Sequence, residues 1–245
     1  MKKAFFLSDL HLGAAYRNDN LEIERRVVRF LDGIRQEAGE IYLLGDILDY
    51  WFEYRNVVPR GYVRFFGKLA ELSDSGIKIT WLIGNHDIWI FDYLPTELGI
   101  EVVDGILERN ILGTEFCIQH GDAIGGNFKF RFLRSLFRNK FCQKMYSGIH
   151  PRWTVGFAYS CSRKSRMREA VIGKWPKHLI HSIQEWCENR IKEGDEARYF
   201  LFGHLHSLHD IQLSDNRRLI VLPEWTKKET YGVFDGTEFK IISAD

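Results

Sequence analysis

Five short apolar runs in this chain each end, within a few residues, on a side chain of metal-ligand type. Ala4 to Ser8 runs into Asp9, with His11 two residues on, and Ile41 to Leu44 runs into Gly45-Asp46. Ile77 to Ile83 leads to Gly84-Asn85, Phe116 to Gln119 to His120, and Tyr199 to Phe202 to Gly203-His204, with His206 following. Each run has the length and apolar content of a buried strand. Ligand crevices in open α/β sheets lie at the carboxyl ends of strands, so these ends are expected to meet at one rim.

Helical patterns separate the early runs, over Leu21 to Glu37, Gly61 to Ser75 and a shorter stretch near Ile88 to Leu98. After His209 the pattern changes to short strands, Ile211 to Leu213, Leu219 to Leu222, Thr230 to Phe234 and Phe239 to Ile242. Alternating β and α elements followed by a β-rich tail predict an α/β fold of two packed sheets with outer helices. At 245 residues the chain suits one domain, 1–245, carrying an insertion.

The ligand blocks are Asp-x-His (Asp9, His11), Gly-Asp-x-x-Asp (Asp46, Asp49), Gly-Asn-His-Asp (Asn85 to Asp87), His-Gly-Asp (His120 to Asp122) and Gly-His-x-His (His204, His206). Any one of them alone is usually just a polar loop or turn. Five in order, each at the end of an apolar run, predict a metal centre. Carboxylate, amide oxygen and imidazole together suit Mn²⁺ first, with Fe²⁺ or Zn²⁺ as alternatives, and suit all-oxygen Ca²⁺ or Mg²⁺ shells poorly. Asp46 is the natural bridge between two divalent ions, one held by Asp9, His11, Asp46 and His206 and the other by Asp46, Asn85, His120 and His204. Two ions so bridged lie roughly 3.5–4 Å apart and clamp one phosphate between them. His86 is expected beside that phosphate as a hydrogen-bond donor or general acid, with Asp49 orienting its ring. Asp87 is expected to cap backbone amides. His150, His178, His181 and His209 lack such context and are expected to be surface or core residues.

Residues 127–192 are different in kind. They hold 15 Lys and Arg against 3 acidic residues, leaving 19 basic and 30 acidic residues to the rest of the chain. Phe128, Phe132, Leu133, Leu136, Phe137, Phe141 and Met145 recur at helical spacing, with Arg131, Arg134, Arg138 and Lys144 on much of the other face. A second helix is expected over about Pro176 to Lys192. Such a segment reads as a basic helical lid, and an apolar face opposite a basic one is the pattern of an interfacial helix. The plainer alternative packs the apolar face on the body and leaves the cations in water. Arg163, Lys164, Arg166 and Arg168 form a cluster suited to a diphosphate or phosphate-sugar. Nucleic acid is disfavoured as a partner, because helical periodicity fits the phenylalanines to a groove better than to base stacking. The four cysteines are scattered with no C-x-x-C pair, and no chemistry is assigned to them.

Ala4 to Leu7 is too short for a signal-peptide core, and no run approaches the roughly 18–20 apolar residues that span a bilayer. The chain is expected in the cytoplasm, with no obligate protein partner indicated.

These blocks make the acidic body resemble the calcineurin-like metallophosphoesterases. That resemblance implies a β-sandwich flanked by helices, four layers in αββα order, and water activated by two metals to attack phosphorus. Gly-Asp-Ile-Leu-Asp-Tyr-Trp from Gly45, the His-Gly-Asp block and the lid between it and Gly-His-x-His look like the branch that acts as UDP-2,3-diacylglucosamine pyrophosphatases of lipid A synthesis. The resemblance implies a UDP-linked diacylated glucosamine lipid as substrate, bound in part by Asn85 and His86. It also implies peripheral association with the anionic cytoplasmic face of the inner membrane. The best-known members of that branch carry Arg where His86 stands here.

Overall fold

The computed structural model describes residues 2–125, 128–156, 160 and 177–243. Its strands are β1 (Lys3–Leu7), β2 (Ala38–Leu43), β3 (Lys78–Leu82), β4 (Glu101–Val103), β5 (Leu107–Ile111), β6 (Thr114–Ile118), β7 (Tyr199–Phe202), β8 (His209–Gln212), β9 (Arg218–Val221), β10 (Tyr231–Phe234) and β11 (Phe239–Ile242). The helices are α1 (Asn20–Ile34), α2 (Val63–Asp74), α3 (Tyr93–Leu98), α4 (Phe128–Arg138), α5 (Lys140–Ser147), α6 (Lys177–Lys192) and α7 (Trp225–Lys228).

Two mixed sheets result. One has the order β11-β10-β1-β2-β3-β4 and the other β5-β6-β7-β9-β8. In the first, β1 to β4 pair parallel, as helical crossovers require, while β10 and β11 return antiparallel at one edge. The period-two alternation of the strands sorts the core. Phe5, Leu7, Ile41, Leu43 and Trp81 pack on one side of the first sheet with Val27, Leu31, Phe65 and Leu69 of α1 and α2. Phe6, Tyr42 and Leu44 face the other way, onto Phe116, Ile118, Leu201 and Ile220 between the sheets. Cys117, Phe200 and Val221 lie beyond the second sheet, against Ile183, Cys187 and Ile191 of α6. The layers are therefore helix, sheet, sheet, helix. α6, grouped with the lid on sequence alone, packs as the outer layer of the body.

Buried carboxylates secure helix starts that their own caps leave open. Glu24 of α1 accepts from the backbone N–H groups of Arg64 and Phe65 at the start of α2, at 2.9 and 3.2 Å. Glu53 does the same for Phe91, Asp92 and Tyr93 at the start of α3.

α4 and α5 sit over the body with their apolar stripe turned outward. Phe132, Phe141, Met145 and Trp153 are each 62–70% exposed. Arg134 and Arg138 point inward to Asp122 and Asp104, at 2.8 and 3.0 Å. For Arg134 and Arg138 the arrangement with apolar face inward and cations in water is thus reversed, while Lys140 and Lys144 stay exposed and Phe137 packs on Trp89. α5 is anchored from the body by the ring of Tyr146, stacked on Trp89 at 4.9 Å, and by the contact of its hydroxyl with that of Tyr50 at 3.2 Å. Arg163, Lys164, Arg166 and Arg168 lie outside the described residues.

Candidate metal centre

All five ligand-bearing loops follow their strands directly, as the sequence pattern predicts, and converge at one rim. The loops after β1 and β2 are zipped together by backbone bonds from Asp9 to Gly45 (3.2 Å), His11 to Asp46 (3.0 Å) and Leu12 to Ile47 (2.9 Å). The loop after β7 joins the one after β6 through the Gly203 N–H and the His120 carbonyl, at 3.0 Å.

Among the described residues, three groups of metal-ligand side chains lie close together, one of them His11, Asp49 and His86, and the other two share one carboxylate. Asp9, His11, Asp46 and His206 form one, and Asp46, His120 and His204 the other, each tight enough to hold a metal ion. His206 Nε2 lies 3.0 Å from Asp9 Oδ1, and His11 Nε2 lies 3.9 Å from Asp46 Oδ2. His120 Nε2 is 3.4 Å from the same Asp46 oxygen and 3.3 Å from Asn85 Oδ1. Asp46 thus stands between the groups, and Asn85 joins the second.

The surroundings aim these donors. His120 Nδ1–H donates to the Leu44 carbonyl at 2.8 Å, which leaves Nε2 as the nitrogen facing the cluster. Asp46 Oδ1 accepts from the His86 N–H at 2.8 Å. Asp9 Oδ2 accepts from Ser8 Oγ at 2.6 Å and from the His204 N–H at 3.0 Å. Asp9 Oδ1, fully buried, is met among the described residues only by imidazole nitrogens, His206 Nε2 at 3.0 Å and His11 Nε2 at 3.6 Å. A buried carboxylate oxygen so placed among imidazole nitrogens fits a cation better than it fits protein donors.

Electrostatics agrees. Burial alone would raise the carboxyls of Asp9 and Asp46, yet His206 and His11 at the first and His120 and His86 at the second hold both well below the usual range. Burial pushes His120 down, but Asp46 and Asp9 outweigh it and bring the ring to about 10. The carboxylates call for positive charge, which a divalent cation supplies more compactly than a protonated ring.

Backbone geometry marks the same residues. Asp9, His11, Asp46, His204 and His206 all have φ between 44° and 67°. Such left-handed conformations cost a non-glycine residue roughly 1–3 kcal/mol and collect at functional sites. Two glycines make the packing feasible. A Cβ on Gly203 would sit 2.0 Å from Ser8 Oγ and 2.7 Å from Asp9 Oδ2, and one on Gly84 would sit 2.2 Å from Asp46 Oδ1.

His86 lies at the mouth of the cluster, its ring 4.9 Å from that of His11. Its Nδ1–H donates to the backbone carbonyl of Asp49 at 3.0 Å, leaving Nε2 for a ligand. The Asp49 carboxylate is 3.6 Å from that Nδ1 and 3.7 Å from His11 Nδ1, so it faces both rings from beyond hydrogen-bond length, and its backbone carbonyl is what bonds His86. Asp87 is a structural cap, as expected. Its buried carboxylate accepts from the N–H groups of Gly84 (2.8 Å) and Ile47 (2.9 Å) and from the Trp81 indole (3.2 Å). Sequence reasoning missed Ser8 and Glu224. Glu224 is buried, pairs with Arg17 and Lys227, and is near enough to His11 and His206 for their charges to lower its carboxyl. Neither residue sits in a motif whose spacing would have flagged it. Of the cysteines, Cys117 and Cys187 are buried and free, and burial pushes the Cys117 thiol up to about 12.

A family model described as calcineurin-like phosphoesterase matches residues 2–208, which include every ligand block. The chain belongs to that family. Among its relatives, a Porphyromonas gingivalis protein named UDP-2,3-diacylglucosamine hydrolase is 40% identical over 99% of this chain and 98% of its own length. Proteins of the same name from Neisseria meningitidis and a Shewanella species are each 25% identical, over 92% and 91% of this chain and 90% and 89% of their own. This calcineurin-like phosphoesterase carries α4, α5 and α6 between the His120 and His204 loops.

Proposed function

We propose that the chain hydrolyses the diphosphate of UDP-2,3-diacylglucosamine, releasing UMP and leaving 2,3-diacylglucosamine 1-phosphate. The observation that carries this reading is a dinuclear-type cluster sharing Asp46 beneath a lid whose apolar face is turned outward, in a chain aligned end to end with a relative of that name. Asp9, His11, Asp46 and His206 would hold one ion and Asp46, Asn85, His120 and His204 the other, with Mn²⁺ preferred by the mixed oxygen and imidazole donors. Bound there, the ions would acidify water and neutralise charge on the phosphate oxygens.

The chain's own residues do the positioning. The Leu44 carbonyl holds the His120 ring, and the His86 N–H holds the shared carboxylate of Asp46. His86, fixed through Nδ1, presents Nε2 to a phosphate oxygen as a donor or general acid. Asp49 holds His86 through its backbone carbonyl and turns its carboxylate toward both His86 and His11.

The lid meets the lipid. Exposed Lys140, Lys144 and Arg152 alternate with exposed Phe141, Met145 and Trp153. That composition suits an anionic leaflet, where each cation contributes about 1 kcal/mol. No described helix is long and apolar enough to cross a membrane. We place the protein peripherally on the cytoplasmic face of the inner membrane. Arg163, Lys164, Arg166 and Arg168 are proposed to grip the diphosphate or the sugar phosphate.

Incubating the Mn²⁺-loaded protein with UDP-2,3-diacylglucosamine should release UMP, and Asp46→Ala should abolish the release while preserving the circular-dichroism spectrum. Ready hydrolysis of simple phosphodiesters with no UMP from the lipid would overturn the reading.

A further inference from the structure

A cavity of about 660 Å³ opens beside the metal cluster, with the His120 ring in its wall. That volume lies within the range of small-molecule sites. Gln119, at the end of β6, lines it and is 95% buried, with its backbone N–H bound to the Leu201 carbonyl at 3.0 Å. Its side-chain Nε2 has no hydrogen-bond partner among the described residues. A buried amide donor left unpaired costs about 1–3 kcal/mol, so this one is built to meet something. Asn189 of α6 brings a second carboxamide to the same cavity, and Trp186 an aromatic ring. One face of that ring is covered by Arg190, its guanidinium 5.3 Å from the ring centre. Ile83, Ile106 and Ile124 add apolar surface, and Ser182 and Glu185 of α6 stand at its edge, the Glu185 carboxylate 3.2 Å from His181 Nε2. The cation in the wall, Arg134, is 2.8 Å from Asp122 and already neutralised.

Such a lining suits a flat, uncharged ring with both donors and acceptors, and suits neither a second phosphate nor an acyl chain. A carboxamide offers a donor and an acceptor side by side, which complements the imide edge of uracil. The surroundings of His86 differ in character. Beyond His86, Tyr50, Phe52 and Trp89 meet Phe137 and Tyr146 of the lid in an aromatic shell. We infer that the cavity beside His120 binds the uracil of the nucleotide half, read by Gln119 and Asn189, so that the substrate lies with its base on the His120 side and its lipid on the His86 side. This inference rests on the proposed function.

The test is calorimetry of UMP and of inorganic phosphate on the Mn²⁺-loaded full-length protein, with Gln119→Leu and Asn189→Leu as variants. UMP should bind more tightly than phosphate, and each variant should lose about 10-fold in UMP affinity, the worth of one good hydrogen bond, with phosphate affinity unchanged. Asn189→Leu changes α6, away from the ligand loops, so it answers even where Gln119→Leu disturbs His120. UMP binding that is no tighter than phosphate, or untouched by both substitutions, overturns the inference. Wild-type release of UMP from the lipid together with that indifference would sink the cavity assignment alone. Absence of lipid turnover with UMP binding still lost in both variants would sink the lipid substrate and leave the base site standing.

Discussion

Nε of Arg134, on lid helix α4, lies 2.8 Å from Oδ2 of Asp122, two residues past the cluster residue His120. Arg138, one turn on, reaches the same oxygen at 3.5 Å and Asp104 at 3.0 Å. The lid is thus fastened to the loop that carries a proposed ligand. A charge-assisted bond contributes about 1.5–3 kcal/mol, with the lower end suiting the partly exposed Arg134. Arg134→Met should therefore raise the hydrogen-exchange rate of the α4 amides about 10-fold, while a small chromogenic phosphodiester is turned over at the wild-type rate. Unchanged exchange in α4 would show that the pair does not hold the lid.

How His86 acts can be separated by two substitutions. If its Nε2 donates to a phosphate oxygen, His86→Arg, which keeps a donor, should retain most activity, and His86→Ala should lose about 10²-fold or more. If the ring transfers a proton, both variants should fall together and the alkaline limb of the pH–rate profile should vanish in each. Because Asp49 also faces His11 at 3.7 Å, Asp49→Asn should lower metal content as well as rate, whereas the His86 variants should keep their metal, measured by atomic emission.

Much of this was legible in the chain because the central strands are buried on both faces. Phe5 and Leu7 face the helices while Ala4 and Phe6 face the second sheet, so the run is continuously apolar and its end is sharp. The ligand types then fall at those ends by residue identity alone. The left-handed backbone at Asp9, Asp46 and His204 has no such signature, since only the neighbouring glycines hint at it. The orientation of the lid was equally hidden. An amphipathic stripe tells that two faces differ but not which one meets the body, and the answer depends on Asp104 and Asp122, distant in sequence from the arginines they bind. β4 and β5 escaped notice because they are short and partly exposed, with β5 interrupted by Glu108, Arg109 and Asn110.

The outward face of the lid makes the proposed membrane contact measurable. Replacing Phe141, Met145 and Trp153 together by Ser removes three large exposed apolar groups that touch none of the proposed ligands. At about 1.5–3 kcal/mol for each fully buried side chain, even partial insertion makes the loss of vesicle binding at least 10-fold. Co-sedimentation with vesicles containing anionic lipid checks this, and raising salt should weaken wild-type binding through Lys140, Lys144 and Arg152. Equal sedimentation of both proteins would overturn the proposed membrane contact through this face.

Glu224 sets part of the acid limit of stability. Burial alone would raise its carboxyl, but Lys227, the Thr226 hydroxyl and the nearby imidazoles bring it down to about 2 from an ordinary 4.5. The folded state therefore binds this proton less readily than the unfolded chain. Its contribution is complete above pH 4.5 and is lost as the pH falls from there toward 2. The difference corresponds to about 3 kcal/mol. In urea titrations Glu224→Gln should be less stable than wild type at pH 7, where Arg17 loses its charged partner, and should show a shallower decline between pH 5 and pH 3. Parallel acid limbs for the two proteins would mean that the carboxylate's partners hold it no more tightly in the folded chain than water does in the unfolded one.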